Sequence, residues 1–124
     1  MKTALVVDDA LTVRLYHRQV LEDAGFEIDE AGNGIEALEK GLQRRFDLFL
    51  VDVNMPKMDG YRLVAEMRRR EELRDIPVIM ASTEAQPRDR ELALLAGANL
   101  YLVKPVNGPL LQTQARLLVG AEPA

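Results

Sequence analysis

The sequence predicts a doubly wound α/β fold, in which helices cover both faces of a five-stranded parallel sheet. Strand-type and helix-type periodicities alternate five times along the 124 residues. Short, wholly apolar runs such as LFLVD at 48–52 are typical of parallel strands that are buried on both faces. The links between elements are short, which requires right-handed crossovers. We therefore expect one domain over residues 1–124, with no internal repeat.

The strands are predicted from short apolar runs bounded by charged or turn-forming residues. The first is LVVDD at 5–9, and the second, EIDEA at 27–31, is more polar and is expected nearer a sheet edge. The remaining three are expected at 48–52, 76–82 and 100–104.

The helices are bounded by residues that suit helix termini. Gly25 and Gly97 are placed as the C-terminal glycines of the first and fourth helices, and Asn33 caps the second. Asn107 and Pro109 start the last helix, which should run to about Val119. The second, third and fourth helices are expected at 34–44, 60–70 and 87–96, and a short tail at 120–124.

Composition excludes several classes of function. The net charge of −4 gives no basic surface for nucleic acid or for an anionic membrane. The chain has no cysteine and one histidine, so a disulfide framework is impossible, a zinc site is improbable and a reducing cytoplasm fits best. No apolar run approaches the roughly 20 residues that span a bilayer, so we expect neither export nor membrane insertion.

Charged residues end three of the apolar runs. Asp8 and Asp9 end the first, Asp52 the third and Lys104 the fifth. Ligands bind at the carboxyl ends of parallel strands, so these side chains are expected to form a site. Carboxylates this close repel one another, and a hard divalent cation such as Mg²⁺ is the economical ion to hold them together.

Four segments, VVDD, LVDVNMPKMDG, PVIMASTEA and YLVKP, resemble the receiver domain of bacterial two-component response regulators. The resemblance covers essentially the whole chain and implies a flavodoxin-like sheet with strand order 2-1-3-4-5. It also implies that Asp52 is the phosphoacceptor and that Asp8 and Asp9 form its acidic pair. The family's switch hydroxyl and switch aromatic then correspond to Ser82 and Tyr101, and its site lysine to Lys104.

The resemblance further implies how the site works. Mg²⁺ would bind Asp52, Asp9, the backbone carbonyl of Asn54 and, through a water, Asp8. Lys104 would contact the phosphoryl group from the other side, and a cis bond to Pro105 would aim it. Thr83 would lie in the phosphoryl pocket, and Asn54 and Glu84 would tune dephosphorylation.

Asn54 and Glu84 resemble the residues at these positions in chemotaxis-type receivers more than those in receivers fused to DNA-binding domains. We therefore expect a receiver without an output domain, phosphorylated by a histidine kinase and binding a flagellar switch through the fourth helix, fifth strand and fifth helix. A phosphatase is a further possible partner. The alternatives are a phosphate sink without an output target, and an enzyme resembling haloacid dehalogenases. The enzyme is disfavoured because Asn54 leaves no general acid.

Other conspicuous features have simpler interpretations. His17 lies on the apolar face of the first helix and is expected to be packed rather than to bind a ligand. The Gly-Asn-Gly at 32–34 indicates a turn and not a phosphate loop. The leucines of the fourth and fifth helices are expected to contribute core positions, and any exposed ones would suit a partner. The arginines at the end of the third helix, interpreted as a solvated end, are Arg68, Arg69, Arg70 and Arg74.

Overall fold

A computed structural model describes residues 1–120, and the remainder of the predicted tail, 121–124, lies outside the described residues. The strands are β1 (Thr3–Val7), β2 (Glu27–Ala31), β3 (Leu48–Asp52), β4 (Val78–Ser82) and β5 (Leu100–Val103). The helices are α1 (Leu11–Asp23), α2 (Gly34–Gln43), α3 (Gly60–Arg69), α4 (Pro87–Ala96) and α5 (Gly108–Val119). All strand pairs are parallel and their order is β2-β1-β3-β4-β5. The predicted fold and strand order are confirmed, and β2 is an edge strand.

The core consists of two apolar layers, one on each face of the sheet. Along β1, Leu5 and Val7 belong to one layer, whereas Ala4 and Val6 belong to the other. This alternation arises because successive side chains of a strand point to opposite faces. Residues of α2, α3 and α4 complete the first layer, and residues of α1 and α5 complete the second. The near-continuous apolar strands thus reflect burial on both sides.

The end of β3 lies close to the start of α3. The Gly60 N–H donates to the carbonyl of Val53 at 2.8 Å, and Asp59 caps the helix by accepting from the N–H of Arg62. A Cβ atom at Gly60 would collide with the backbone carbonyl of Asp52. The sequence therefore needs glycine here so that the backbone at the start of α3 can approach the end of β3.

The predicted start of the fourth strand shifts for a local reason. The fourth strand was expected at 76–82 but begins at Val78. Pro77 lacks an N–H and so cannot donate to the sheet ladder, although its carbonyl accepts from the N–H of Phe49.

No helix within residues 1–120 combines the length and the apolar character needed to cross a bilayer.

The interpretation of Arg68 as part of a solvated helix end is wrong. Its guanidinium donates to the carbonyls of Gly97 at 2.9 Å, Arg74 at 3.0 Å and Ile76 at 2.7 Å. It also donates to the side chain of Asn99 at 3.1 Å. Burial lowers the pKa of Arg68, with Asp75 opposing the shift. Arg68 thus joins the ends of α3 and α4 to the start of β4 by hydrogen bonds to backbone carbonyls that no repeating structure satisfies.

The expectation that the leucines of α4 and α5 supply core positions is correct only in part. Leu118 packs against the core, but Leu94 and Leu95 are 50% and 82% exposed and Leu117 is 66% exposed. Ala93 is the buried residue of α4. A small residue at the contact lets α4 lie close to the sheet, and it leaves its leucines on the surface.

The hydrogen bonds of Arg68 make a stability prediction. Arg68→Met keeps the aliphatic stem but leaves three carbonyls without their donor, so the free energy of unfolding should fall by about 2 to 4 kcal/mol. Arg69→Met is the matched control, because the Arg69 side chain is 72% exposed and Glu66 is its one ion-pair partner among residues 1–120. Its cost should stay below about 0.5 kcal/mol. Urea denaturation measures both, and equal losses would contradict the assignment.

Candidate functional site

A lysine joins two carboxylates at the carboxyl edge of the sheet. The Lys104 ammonium donates to Asp8 Oδ2 at 2.7 Å and to Asp52 Oδ1 at 2.8 Å. Asp8 follows β1, Asp52 ends β3 and Lys104 follows β5, so residues distant in sequence meet because all strands run in the same direction. Asp8 and Asp52 are 2% and 7% exposed. These are ion pairs shielded from solvent, in which each charge depends on its partner.

Arg14, a residue that the sequence did not single out, helps to position Asp8. Arg14 on α1 donates to the backbone carbonyl of Asp8 at 2.7 Å and to Glu30 Oε1 at 3.0 Å. The other Asp8 oxygen, Oδ1, accepts from the N–H of Ala10 at 2.9 Å. The predicted strand order could have indicated this contact, because β2 lies beside β1 and brings Glu30 next to the start of α1.

Three carboxylates converge at this edge of the sheet. One oxygen each from Asp8, Asp9 and Asp52 lies within 4.8 Å of the others. Asp9 is exposed, and Asn54 is exposed in the loop after β3. The donor set is all oxygen, and two of its three members have an oxygen in contact with Lys104. Such a set suits a hard cation that keeps several waters and does not need a full protein cage.

Burial and neighbouring charge shift the pKa values of the central pair. Desolvation raises the pKa of Asp52, the carboxylates of Asp8 and Asp9 add to the rise, and Lys104 opposes it. Desolvation alone would lower the pKa of Lys104, but hydrogen bonds to Asp52 and Asp8 outweigh it and raise that pKa. The lysine therefore stays charged, and Asp52 is a carboxylate held at an electrostatic cost.

The residues after β4 form a hydrogen-bonded group beside the carboxylates. Ser82 is buried, and its Oγ accepts from the N–H of Glu84 at 3.1 Å. The Tyr101 hydroxyl donates to the carbonyl of Glu84 at 2.6 Å, and its ring is 2% exposed. Thr83 and the Glu84 side chain are exposed. Tyr101 thus occupies an inward position in this structure, and Glu84 links it to Ser82 through the backbone.

The segment after β5 contains two further features. The bond between Lys104 and Pro105 is cis, as the family pattern implies. His17 is buried, as expected for a packed residue, and it lines a cleft together with Lys104 and Pro105. Burial lowers the pKa of His17 to about 4, Lys104 adds to the shift and Asp8 opposes it.

Comparison with known proteins gives consistent results. A family model described as the response regulator receiver domain matches residues 4–116. Chemotaxis protein CheY1 of Helicobacter pylori is 38% identical over 119 residues, which cover 94% of this chain and 95% of that protein. The structure of chemotaxis protein CheY4 from Vibrio cholerae has a TM-score of 0.86 at 38% identity, covering 94% of this chain and 98% of that one.

Receivers that belong to other proteins are also similar. The receiver domain of sensor histidine kinase PA1611 from Pseudomonas aeruginosa has a TM-score of 0.89 at 31% identity, covering 97% of this chain and 98% of that one. That structure holds a magnesium ion coordinated in its active-site cleft. Several curated relatives are much longer, and the chain spans 9%, 15% and 41% of the length of three of them.

The pKa of His17 makes a pH-dependent prediction. Between pH 6.5 and about 4, His17 is protonated in the unfolded chain but stays neutral in the folded protein. The free energy of unfolding therefore falls as pH is lowered through this range. The contribution of neutral His17 to the free energy of unfolding is complete above pH 6.5 and is at most about 3 kcal/mol. His17→Val should remove it. Urea denaturation of both proteins at about pH 7 and about pH 4.5 measures the difference, and parallel losses would show that His17 contributes nothing.

Proposed function

This chain belongs to the family of response regulator receiver domains, and we propose that it accepts a phosphoryl group on Asp52 and thereby changes which proteins it binds. The observation that carries the proposal is the contact of Lys104 with both Asp8 and Asp52 at the end of the central strand. Single-domain relatives named for chemotaxis support a role in two-component signalling. We further propose that residues 1–124 act as one receiver domain.

Asp52 is the nucleophile. Its Oδ1 contacts Lys104, and the other oxygen, Oδ2, accepts no side-chain hydrogen bond from the described residues. This oxygen forms the new P–O bond while the P–N bond of a donor phosphohistidine breaks. The imidazole leaves with the bonding electrons and takes up a proton. Burial raises the pKa of Asp52, which makes its carboxylate a stronger nucleophile than a solvated one.

Lys104 stabilises the product. Transfer converts the Asp52 carboxylate into a mixed anhydride, which removes one of the two negative partners of the ammonium. The ammonium then has a donor free for a phosphoryl oxygen while it keeps its contact with Asp8. Phosphoryl transfer gains mostly from such positioning and charge stabilisation, which the fold builds before the donor arrives.

The carboxylate cluster fits Mg²⁺. The three carboxylate oxygens within 4.8 Å are hard ligands of the kind that this ion selects, and the similar PA1611 receiver holds magnesium in its cleft. We propose Asp8, Asp9 and Asp52 with the Asn54 carbonyl as the residues that hold it. When bound, the ion supplies positive charge that offsets repulsion between the carboxylates and an incoming phosphoryl group.

The switch involves Ser82, Thr83 and Tyr101. A phosphoryl group offers new acceptor oxygens, and the buried Ser82 hydroxyl can donate to one while still accepting from Glu84. Tyr101 corresponds to the family's switch aromatic, and its ring is already inside and hydrogen-bonded to Glu84 without a phosphoryl group. We infer that phosphorylation stabilises this inward arrangement by population shift. Asn54 and Glu84, both exposed near the site, are proposed to tune dephosphorylation.

We infer that the phosphodonor is a histidine kinase of the chemotaxis type, and that the output is a protein contact on the face formed by α4, β5 and α5. The exposed leucines Leu94 and Leu95 of α4 and Leu117 of α5 support a target and favour a shuttle over a phosphate sink. A flagellar switch is the target that the chemotaxis relatives suggest. The chain would act as a phosphorylated binding switch and not as a turnover enzyme. A phosphatase and a cytoplasmic location stay predictions.

Removal of the nucleophile tests the proposal. Asp52→Asn keeps size and polarity, so the fold should persist, but incubation with acetyl phosphate should no longer add a phosphoryl group of about 80 Da. Intact-mass measurement shows the gain in the parent and its loss in the variant. Asp59→Asn is a matched control, because Asn caps α3 as well as Asp does and the site is unchanged. Persistent phosphorylation of Asp52→Asn would move the acceptor elsewhere.

Removal of one proposed metal ligand gives a second test. Asp9→Ala should lose most of the rise in melting temperature that Mg²⁺ gives the parent, because fewer oxygens hold the ion. Without Mg²⁺ the variant should be slightly more stable, since one of three repelling carboxylates is gone. Thermal melts with and without Mg²⁺ measure both effects. Asp23→Ala, an exposed position at the end of α1, makes the same charge change away from the site. Equal Mg²⁺ effects in all three proteins would reject Asp9.

A further inference from the structure

A cleft of about 340 Å³ opens between α1 and the segment that follows β5. Its walls include Val13, Tyr16 and His17 from α1, Thr83, and residues 104–106. The volume lies at the lower end of the range for small-molecule sites, which are mostly apolar with a few polar groups. The proposed phosphotransfer reaction uses Lys104 and Thr83 at one end of this cleft, but it leaves the rest unexplained.

The unusual wall residue is His17. Its side chain is 2% exposed, yet no side-chain hydrogen bond among the described residues involves it. No side-chain nitrogen or oxygen in residues 1–120 is both fully buried and unpaired, so the ring nitrogens must retain access to open space. The cleft that His17 lines provides that space. The imidazole is therefore a buried polar group whose hydrogen bonds are available to something in the cleft.

Two of the polar side chains that line the cleft, those of Tyr16 and Lys104, have partners other than His17. The Tyr16 hydroxyl donates to the carbonyl of Val106 at 2.8 Å, and the Lys104 ammonium contacts Asp8 and Asp52. Both contacts restrain the side chains that make them. They also fix two walls of the cleft, which favours a preformed site over one assembled on binding.

Charge decides what kind of molecule the cleft can accept. Burial lowers the pKa of His17 to about 4, so near neutral pH the ring is uncharged and offers one donor and one acceptor. An anion would meet three carboxylates at the nearby edge of the sheet, and a cation would meet the Lys104 ammonium. A neutral molecule avoids both costs. The Tyr16 ring, Val13 and Pro105 give it apolar and aromatic surface to pack against.

We propose that this cleft binds a small, uncharged aromatic molecule whose single hydroxyl or N–H group pairs with the imidazole of His17. The aromatic body packs against Tyr16 and Pro105. Because Lys104 and Thr83 belong to the same walls, the bound molecule lies against two residues that, on the proposed function, contact the phosphoryl group. The binding itself does not depend on that function.

The test uses the unmodified full chain and two probes of nearly the same shape, 2-naphthol and 2-methylnaphthalene. His17 is the one histidine in the sequence, so its imidazole nitrogen signals in an NMR spectrum need no assignment. We expect 2-naphthol to shift these signals in a saturable way and to bind about five- to tenfold more tightly than 2-methylnaphthalene, the preference that one neutral hydrogen bond provides. No saturable shift, or equal affinities, would overturn the proposal.

Two variants assign the preference to His17. His17→Val should bind both probes equally, whereas His17→Gln, which keeps a donor and an acceptor, should retain part of the preference for 2-naphthol. A preference that survives in His17→Val would reject the site. The rival occupant of the cleft is a protein, and addition of a phosphodonor domain tests it. If that domain shifts the imidazole signals and 2-naphthol does not, a protein contact fills the cleft and the small-molecule assignment is wrong.

Discussion

The double contact of Lys104 with Asp8 and Asp52 is the interaction on which the site depends. Two carboxylates that are almost completely buried could not both stay ionised without a nearby positive charge. The lysine supplies that charge from the end of β5 and so links three strand ends. The same contact prepares the chemistry, because the group that stabilises the carboxylates is already beside the atom that would receive a phosphoryl group.

The two ends of the sheet have different tasks. At the carboxyl edge, charged side chains meet in a small space, and Gly60 allows the backbone of α3 to approach Asp52. At the opposite edge, Arg68 holds the ends of α3 and α4 to the start of β4 by hydrogen bonds to carbonyls. This leaves α4 firmly attached at its C-terminal end. Its N-terminal end lies beside Tyr101 and Glu84, where the proposed switch acts.

The sequence predicted the features that depend on local pattern. Short runs bounded by charged or turn-forming residues identified all five strands. The three runs that end in charge brought Asp8, Asp52 and Lys104 to one edge, because parallel strands share their direction. The predictions from sequence failed where contacts between distant residues decide whether a side chain is buried or exposed. Arg68 was interpreted as solvated because charged residues at helix ends usually are, but the loop that folds back over it was invisible in the pattern. Leu94 and Leu95 were expected to include core positions, yet Ala93 is the residue that faces the sheet.

The central claim is that burial places an electrostatic cost on the Asp52 carboxylate and that Lys104 compensates part of it. A titration of the Asp52 carboxyl carbon by NMR tests this most directly, in the parent and in Lys104→Met. The account predicts that the pKa of Asp52 lies above the ordinary aspartate value in the parent and rises further when the ammonium is removed. A parent pKa at or below the ordinary value, or no rise in Lys104→Met, would contradict it.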